Sequence, residues 1–108
     1  MRQLCPVVST MLTLFDGDDD TYQRWLVQNP GGYVINTRRG LPSSYMVLHR
    51  ASCRTIRSYT PTTPSGAFTE RGYVKVCSAN LADLRAWLRG HGRSDGSFSN
   101  ECGLCAKA

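Results

Sequence analysis

The chain has 108 residues, with 13 basic and 8 acidic side chains for a formal charge of +5, and five cysteines. That length suits one small domain with a modest core, which gains from a covalent or metal staple. The odd cysteine count excludes a framework in which every thiol pairs within the chain, and the apolar run at the start is too short to span a bilayer.

Residues 1–15 are largely apolar, with Arg2 as the single charge. Pro6 interrupts the run and no small-residue cleavage site follows it, so a flexible extension or a packing strand fits better than a secretory signal. Met11 offers an alternative start, and Cys5 has no companion and reads as a bystander. A reducing, cytoplasmic setting is therefore expected, where clustered thiols bind metal rather than one another.

Asp18, Asp19 and Asp20 place carboxylates where a helix start leaves N–H groups unpaired. Tyr22, Trp25, Leu26 and Asn29 then recur at helical spacing, and Asn29-Pro30-Gly31-Gly32 stops the pattern. Trp25 reads as a core residue; a base-stacking platform is the functional alternative.

Residues 33–37 and 45–49 read as two strands of a hairpin, joined by a connection that carries Arg38 and Arg39. Those arginines suit either a phosphate contact or a solvated loop. Residues 58–71 lack apolar periodicity and predict a long loop. Residues 72–77 predict a third strand, and residues 81–89 a second helix capped by Asn80, with Leu81, Leu84, Trp87 and Leu88 on its buried stripe.

Two spacings carry chemistry. His49 and Cys53 form His-x-x-x-Cys at the end of the second strand, and Cys102 and Cys105 form Cys-x-x-Cys near the end of the chain. Together they make a closed Cys3His set, the donor pattern of a structural Zn2+ site. Cys77 is the rival ligand, although as a small apolar residue at a strand end it fits a core position equally well.

The expected fold class is α+β: a small three-stranded antiparallel sheet with two main helices, stapled by one Cys3His zinc site. Residues 1–17 would be an apolar N-terminal extension and residues 18–108 a single zinc-binding domain.

From residue 21 onward twelve basic residues face four acidic ones, and nearly all of the basic ones are arginine, whose planar fork suits phosphate and guanine edges. Arg50, Arg54 and Arg57 flank the ligands and share one face if that segment is helical. They form a phosphate rail in one reading and neutralise an anionic metal site in the other. Arg38, Arg39, Arg50, Arg54, Arg57, Arg71 and Lys75 are the candidate nucleic-acid contacts.

The order of His-x-x-x-Cys at a strand end, a strand, a helix and a closing Cys-x-x-Cys resembles Ada-like zinc modules over residues 45–105. Leu48-His49-Arg50-Ala51-Ser52-Cys53 occupies the opening segment, and Cys102 and Cys105 match the closing pair. The resemblance implies that Cys77 is core. Ada-type repair proteins use four cysteines, one as a methyl acceptor; His49 stands at the first position here, so methyl transfer is not expected.

The stretch from Gly32 to Arg39, with Val47 to Cys53, is also similar to small actinobacterial domains associated with HNH-type restriction nucleases that attack modified DNA. That likeness implies a DNA-reading accessory module. The expected function is thus a non-enzymatic, zinc-stabilised DNA-binding module, with modified DNA among its targets and a nuclease domain or other protein as companion. The alternative is a protein-interaction adaptor with a purely structural zinc.

Overall fold

The computed structural model describes residues 12–105, so the readings made for residues 1–11, Cys5 among them, lie outside the described residues. The strands are β1 (Thr13–Phe15), β2 (Tyr33–Arg38), β3 (Met46–Arg50), β4 (Tyr73–Ser78) and β5 (Asn100–Glu101). The helices are α1 (Asp19–Gln28) and α2 (Leu81–Arg89), with a 3-10 turn at Arg54–Ile56.

The sheet corrects the three-stranded expectation. Five strands pair in the order β1-β4-β2-β3-β5. The β1/β4, β4/β2 and β2/β3 pairs are antiparallel, while β3/β5 is parallel, so the sheet is mixed. The two added strands hold three and two residues, too few to show an alternation in sequence. Tertiary pairing alone makes them strands.

Side-chain alternation divides the core. On one face, Val34 pairs across with His49 and Cys77, and Asn36 with Val47 and Lys75. Here Phe15, Val34 and Cys77 pack with Tyr22 and Leu26 of α1 and with Ala51, Ile56 and Phe68. On the other face, Ile35, Leu48 and Val76 pack with Leu84 and Leu88 of α2 and with Met46 and Phe98. Because helices cover both faces, β4 is buried from Val74 to Ser78.

Asp18 caps α1 by accepting from the Thr21 amide at 3.0 Å. Asp19 points inward and accepts from the Phe68 and Thr69 amides, while its own amide donates to Glu70 at 2.9 Å. These bonds tie the loop before β4 to the helix start. Phe68 is buried and Tyr59 meets it edge-on at 5.1 Å, so the aromatic pair pins that loop. Tyr22 is fully buried and donates its hydroxyl to the Ile56 carbonyl at 2.7 Å, which anchors the 3-10 turn. Gly32 lets β2 begin beneath α1, since a Cβ there would stand 2.8 Å from the Trp25 ring.

Candidate metal centre

His49 sits near the end of β3, held in register opposite Val34. The chain then turns: the Ala51 amide donates to the Gly32 carbonyl and the Cys53 amide to the Arg50 carbonyl, each at 2.9 Å. Ala51 and Ile56 are buried, so the turn is fixed from below, and Cys53 is brought back toward His49.

The closing pair arrives through β5. The Ser99 amide donates to the Met46 carbonyl, and the Cys102 amide to the Leu48 carbonyl, each at 2.9 Å. The Met46 amide donates in turn to the Ser99 hydroxyl at 2.6 Å. This short parallel ladder sets Cys102 alongside His49, and Cys105 follows after one turn.

The donor atoms of His49, Cys53, Cys102 and Cys105 all lie within 4.8 Å of one another, an arrangement able to hold a metal ion. The Cys53 and Cys102 sulfurs are 3.9 Å apart. That is far beyond a disulfide bond, and it nearly equals the edge of about 3.8 Å that a tetrahedron with 2.3 Å metal–sulfur bonds requires. Among the described residues, Cys53, Cys77, Cys102 and Cys105 are all unbridged.

The surroundings favour the ligating forms of His49 and Cys102 but not of Cys105. Burial, with Lys75 nearby, lowers His49 to about 4, so its imidazole is neutral at physiological pH. The Thr55 hydroxyl lies 3.0 Å from the Cys53 sulfur and 3.5 Å from His49 Nδ1, bridging the two ligands. Amides donate to the other two sulfurs: Arg50 to Cys105 at 3.3 Å and Leu104 to Cys102 at 3.4 Å. For Cys102, burial opposes ionisation, but the Leu104 amide and the neighbouring thiols outweigh it and the pKa falls. Burial pushes Cys105 up to about 12, and the other thiols add to that rise. Three sulfurs crowded together resist ionising jointly unless a cation lies among them.

Cys77 stands outside this group. It is fully buried in the α1-side core, and burial raises its pKa. It packs as a small apolar residue.

The six arginines expected to contact nucleic acid fall into two groups at opposite ends of the sheet. Arg38, Arg39 and Arg71 gather at the hairpin end. Arg38 lies over the Tyr45 and Tyr73 rings at 5.3 and 5.1 Å. Arg39 pairs with Asp16 at 2.9 Å, and Arg71 donates to the Ser65 carbonyl. Arg50 and Arg54 are exposed at the metal end, and Arg57 is half-buried.

Arg50 donates from Nε to the Cys105 carbonyl at 2.9 Å. The helical face expected for Arg50, Arg54 and Arg57 does not form, because Arg50 belongs to β3 and the turn is a single 3-10 segment. Lys75 is not at the surface. It is 3 % exposed and donates to the Phe68 carbonyl at 2.6 Å, so it lies apart from the exposed arginines, in the lining of a cleft.

Two clefts meet at Arg54. One, of about 430 Å³, runs beside the metal centre between Arg50, Cys53, Arg54, Leu104 and Cys105. The other, of about 410 Å³, extends from Arg54 and Thr55 over Asn36 and Lys75 to Tyr73. Sequence reading passed over Asn36 and Tyr73. The available signal was a polar Asn within an apolar strand, and only its pairing with Lys75 gives that signal meaning.

Comparison with protein-family models, with curated proteins and with solved structures gave no match. No helix among the described residues is long and apolar enough to cross a membrane.

Proposed function

We propose that this chain is a zinc-stabilised nucleic-acid-binding module, with DNA as its target and no catalytic role. The observation that carries the reading is the closed four-donor cluster with exposed Arg50 and Arg54 directly beside it. Three sulfurs and one imidazole form a borderline-soft tetrahedral set that suits Zn2+ and leaves no open position for substrate. The metal would fix the turn after β3 and the closing knuckle as one rigid block, in a compartment reducing enough to keep the thiols unpaired. The ligand order, which resembles that of Ada-like modules, supports the same assignment.

Arginines at both ends of the sheet would then meet phosphates, with affinity that falls steeply as salt rises. The test is retardation of labelled duplex and single-stranded DNA at 50 and 200 mM salt, about the range over which such contacts weaken most visibly. Arg54→Ala should weaken binding and flatten the salt slope by about one unit. Absence of binding at the lower salt overturns the reading.

One observation favours a second reading, that of a protein-interaction adaptor. Leu104, at the tip of the knuckle, is 71 % exposed beside Arg50. Under that reading Leu104→Asp abolishes capture of a stable partner and DNA is not retarded.

A further inference from the structure

The cleft between the two arginine groups has a floor with polar groups that the metal centre does not use. Its volume of about 410 Å³ falls in the range of small-molecule sites. Arg54 and Lys75 line it and no acidic residue does. The one ion pair among the described residues joins Arg39 to Asp16, so the Lys75 ammonium is buried without a carboxylate partner. An ammonium carries three donors, and Lys75 uses one on the Phe68 carbonyl.

Beside it, Asn36 Oδ1 is buried with no hydrogen-bond partner among the described residues, and Nδ2 reaches only the Tyr45 hydroxyl at 3.4 Å. An unpaired buried acceptor costs stability, and Asn36 is among the residues that line the cleft. Phe68 and Tyr73 line the same cleft with aromatic surface.

We propose that this cleft seats one unpaired nucleobase, with the Asn36 carboxamide and the Lys75 ammonium on its hydrogen-bonding edge, Tyr73 against its plane, and the adjoining phosphate on Arg54. The inference rests on the nucleic-acid reading above and names the part of the ligand that reading leaves open. A phosphate alone would use Arg54 and Lys75 but leave the Asn36 acceptor and the aromatic wall without a partner. A purely apolar ligand would leave the ammonium with the Phe68 carbonyl as its one hydrogen-bond acceptor and its other two donors unused. A base edge combines carbonyl or ring-nitrogen acceptors with amino donors, and so answers both polar groups at once. A strand running from the Arg38 end to the Arg50 end passes across this opening. A base that has left its stack can enter it, with stacking and edge contacts replacing those lost.

The test compares a fully paired duplex with the same duplex carrying one base opposite an abasic site, alongside NMR titration with the four deoxynucleoside monophosphates. The unpaired-base duplex should bind about tenfold more tightly or better. Asn36→Leu and Lys75→Met should each bring its affinity down to that of the paired duplex, with metal content and circular dichroism confirming that both variants fold. Equal affinity of the wild-type chain for the two duplexes overturns the proposal, as does a preference that survives both substitutions; in either case the DNA reading stands. If neither duplex is retarded, the DNA reading fails and the monophosphate titration decides the cleft by itself. Saturable shifts at Asn36 and Tyr73 then support a free nucleotide as the source of the base, and their absence overturns the site.

Discussion

Cys77 and Cys102 share a residue type and differ in everything that surrounds them. Cys102 lies 3.9 Å from the Cys53 sulfur, whereas Cys77 is fully enclosed by apolar neighbours. Cys102→Ser should therefore release most of the bound metal. Cys77→Ser should retain one equivalent while losing about 1–3 kcal/mol of stability to a buried hydroxyl. Metal stoichiometry by native mass spectrometry and denaturant midpoints separate the two outcomes, and equal metal loss in both would count against the ligand assignment.

Lys75 makes a second contrast at this scale. Burial lowers its pKa from 10.5 to about 8, against the opposing pull of Cys77 and Asp19. Between about pH 8 and 10.5 the unfolded chain holds a proton that the folded chain has released. The contribution of this amine to stability rises across that window and is lost as the pH falls through 8. Cys77 and Tyr22, whose pKa values burial raises, act in the opposite sense as the pH rises. The comparison must therefore be made against the variant: Lys75→Met should remove the Lys75 share of the change between pH 7 and 10, read from denaturant midpoints at the two values.

Among the elements, α1 depends on a contact that its own sequence does not contain. Asp19 is 4 % exposed and receives two backbone amides from the loop before β4, while Asp20 beside it is exposed. Bonds to a charged acceptor are worth about 1.5–3 kcal/mol each. Asp19→Ala should cost about 3 kcal/mol in a denaturant titration and loosen the loop, which hydrogen exchange at Phe68 and Thr69 would report. Asp20→Ala should stay within about 0.5 kcal/mol, as exposed substitutions generally do. A similar cost for both would mean that these two aspartates act only through the helix dipole. The 3-10 turn has the same dependence, since the Tyr22 hydroxyl holds it from the opposite side of the core.

At the scale of the whole molecule, the four-donor cluster joins two segments about fifty residues apart. The parallel β3/β5 ladder is too short to be stable alone, with two residue pairs in register. Chelation should therefore free β5 and the knuckle first, with loss of amide protection at Cys102 before any at β2 or β4. The melting temperature should fall by several degrees, as expected when a ligand specific to the folded state is withdrawn from a domain of this size. An unchanged melting curve after complete removal of metal would show that the cluster does not staple the fold.

Several features were legible in the chain itself because their signals are local. The helical stripes of α1 and α2 and the alternation in β4 declare themselves through a repeat of polar and apolar residues, and the β2–β3 hairpin through two short apolar runs bounded by glycine and proline. The four metal-ligand candidates declare themselves through fixed spacings of side chains with few other uses in such proximity. What tertiary structure alone decided is longer-ranged. β1 and β5 become strands only because a neighbour offers unpaired backbone groups. Cys102 meets His49 only because β5 runs parallel to β3. Lys75 leaves the surface because helices cover both sides of its strand, and with that it passes from a charge among many to the floor of a cleft shared with Asn36. Periodicity reports which face of an element is buried; which element buries it, and what lies across from it, depends on pairings between residues that no local repeat encodes.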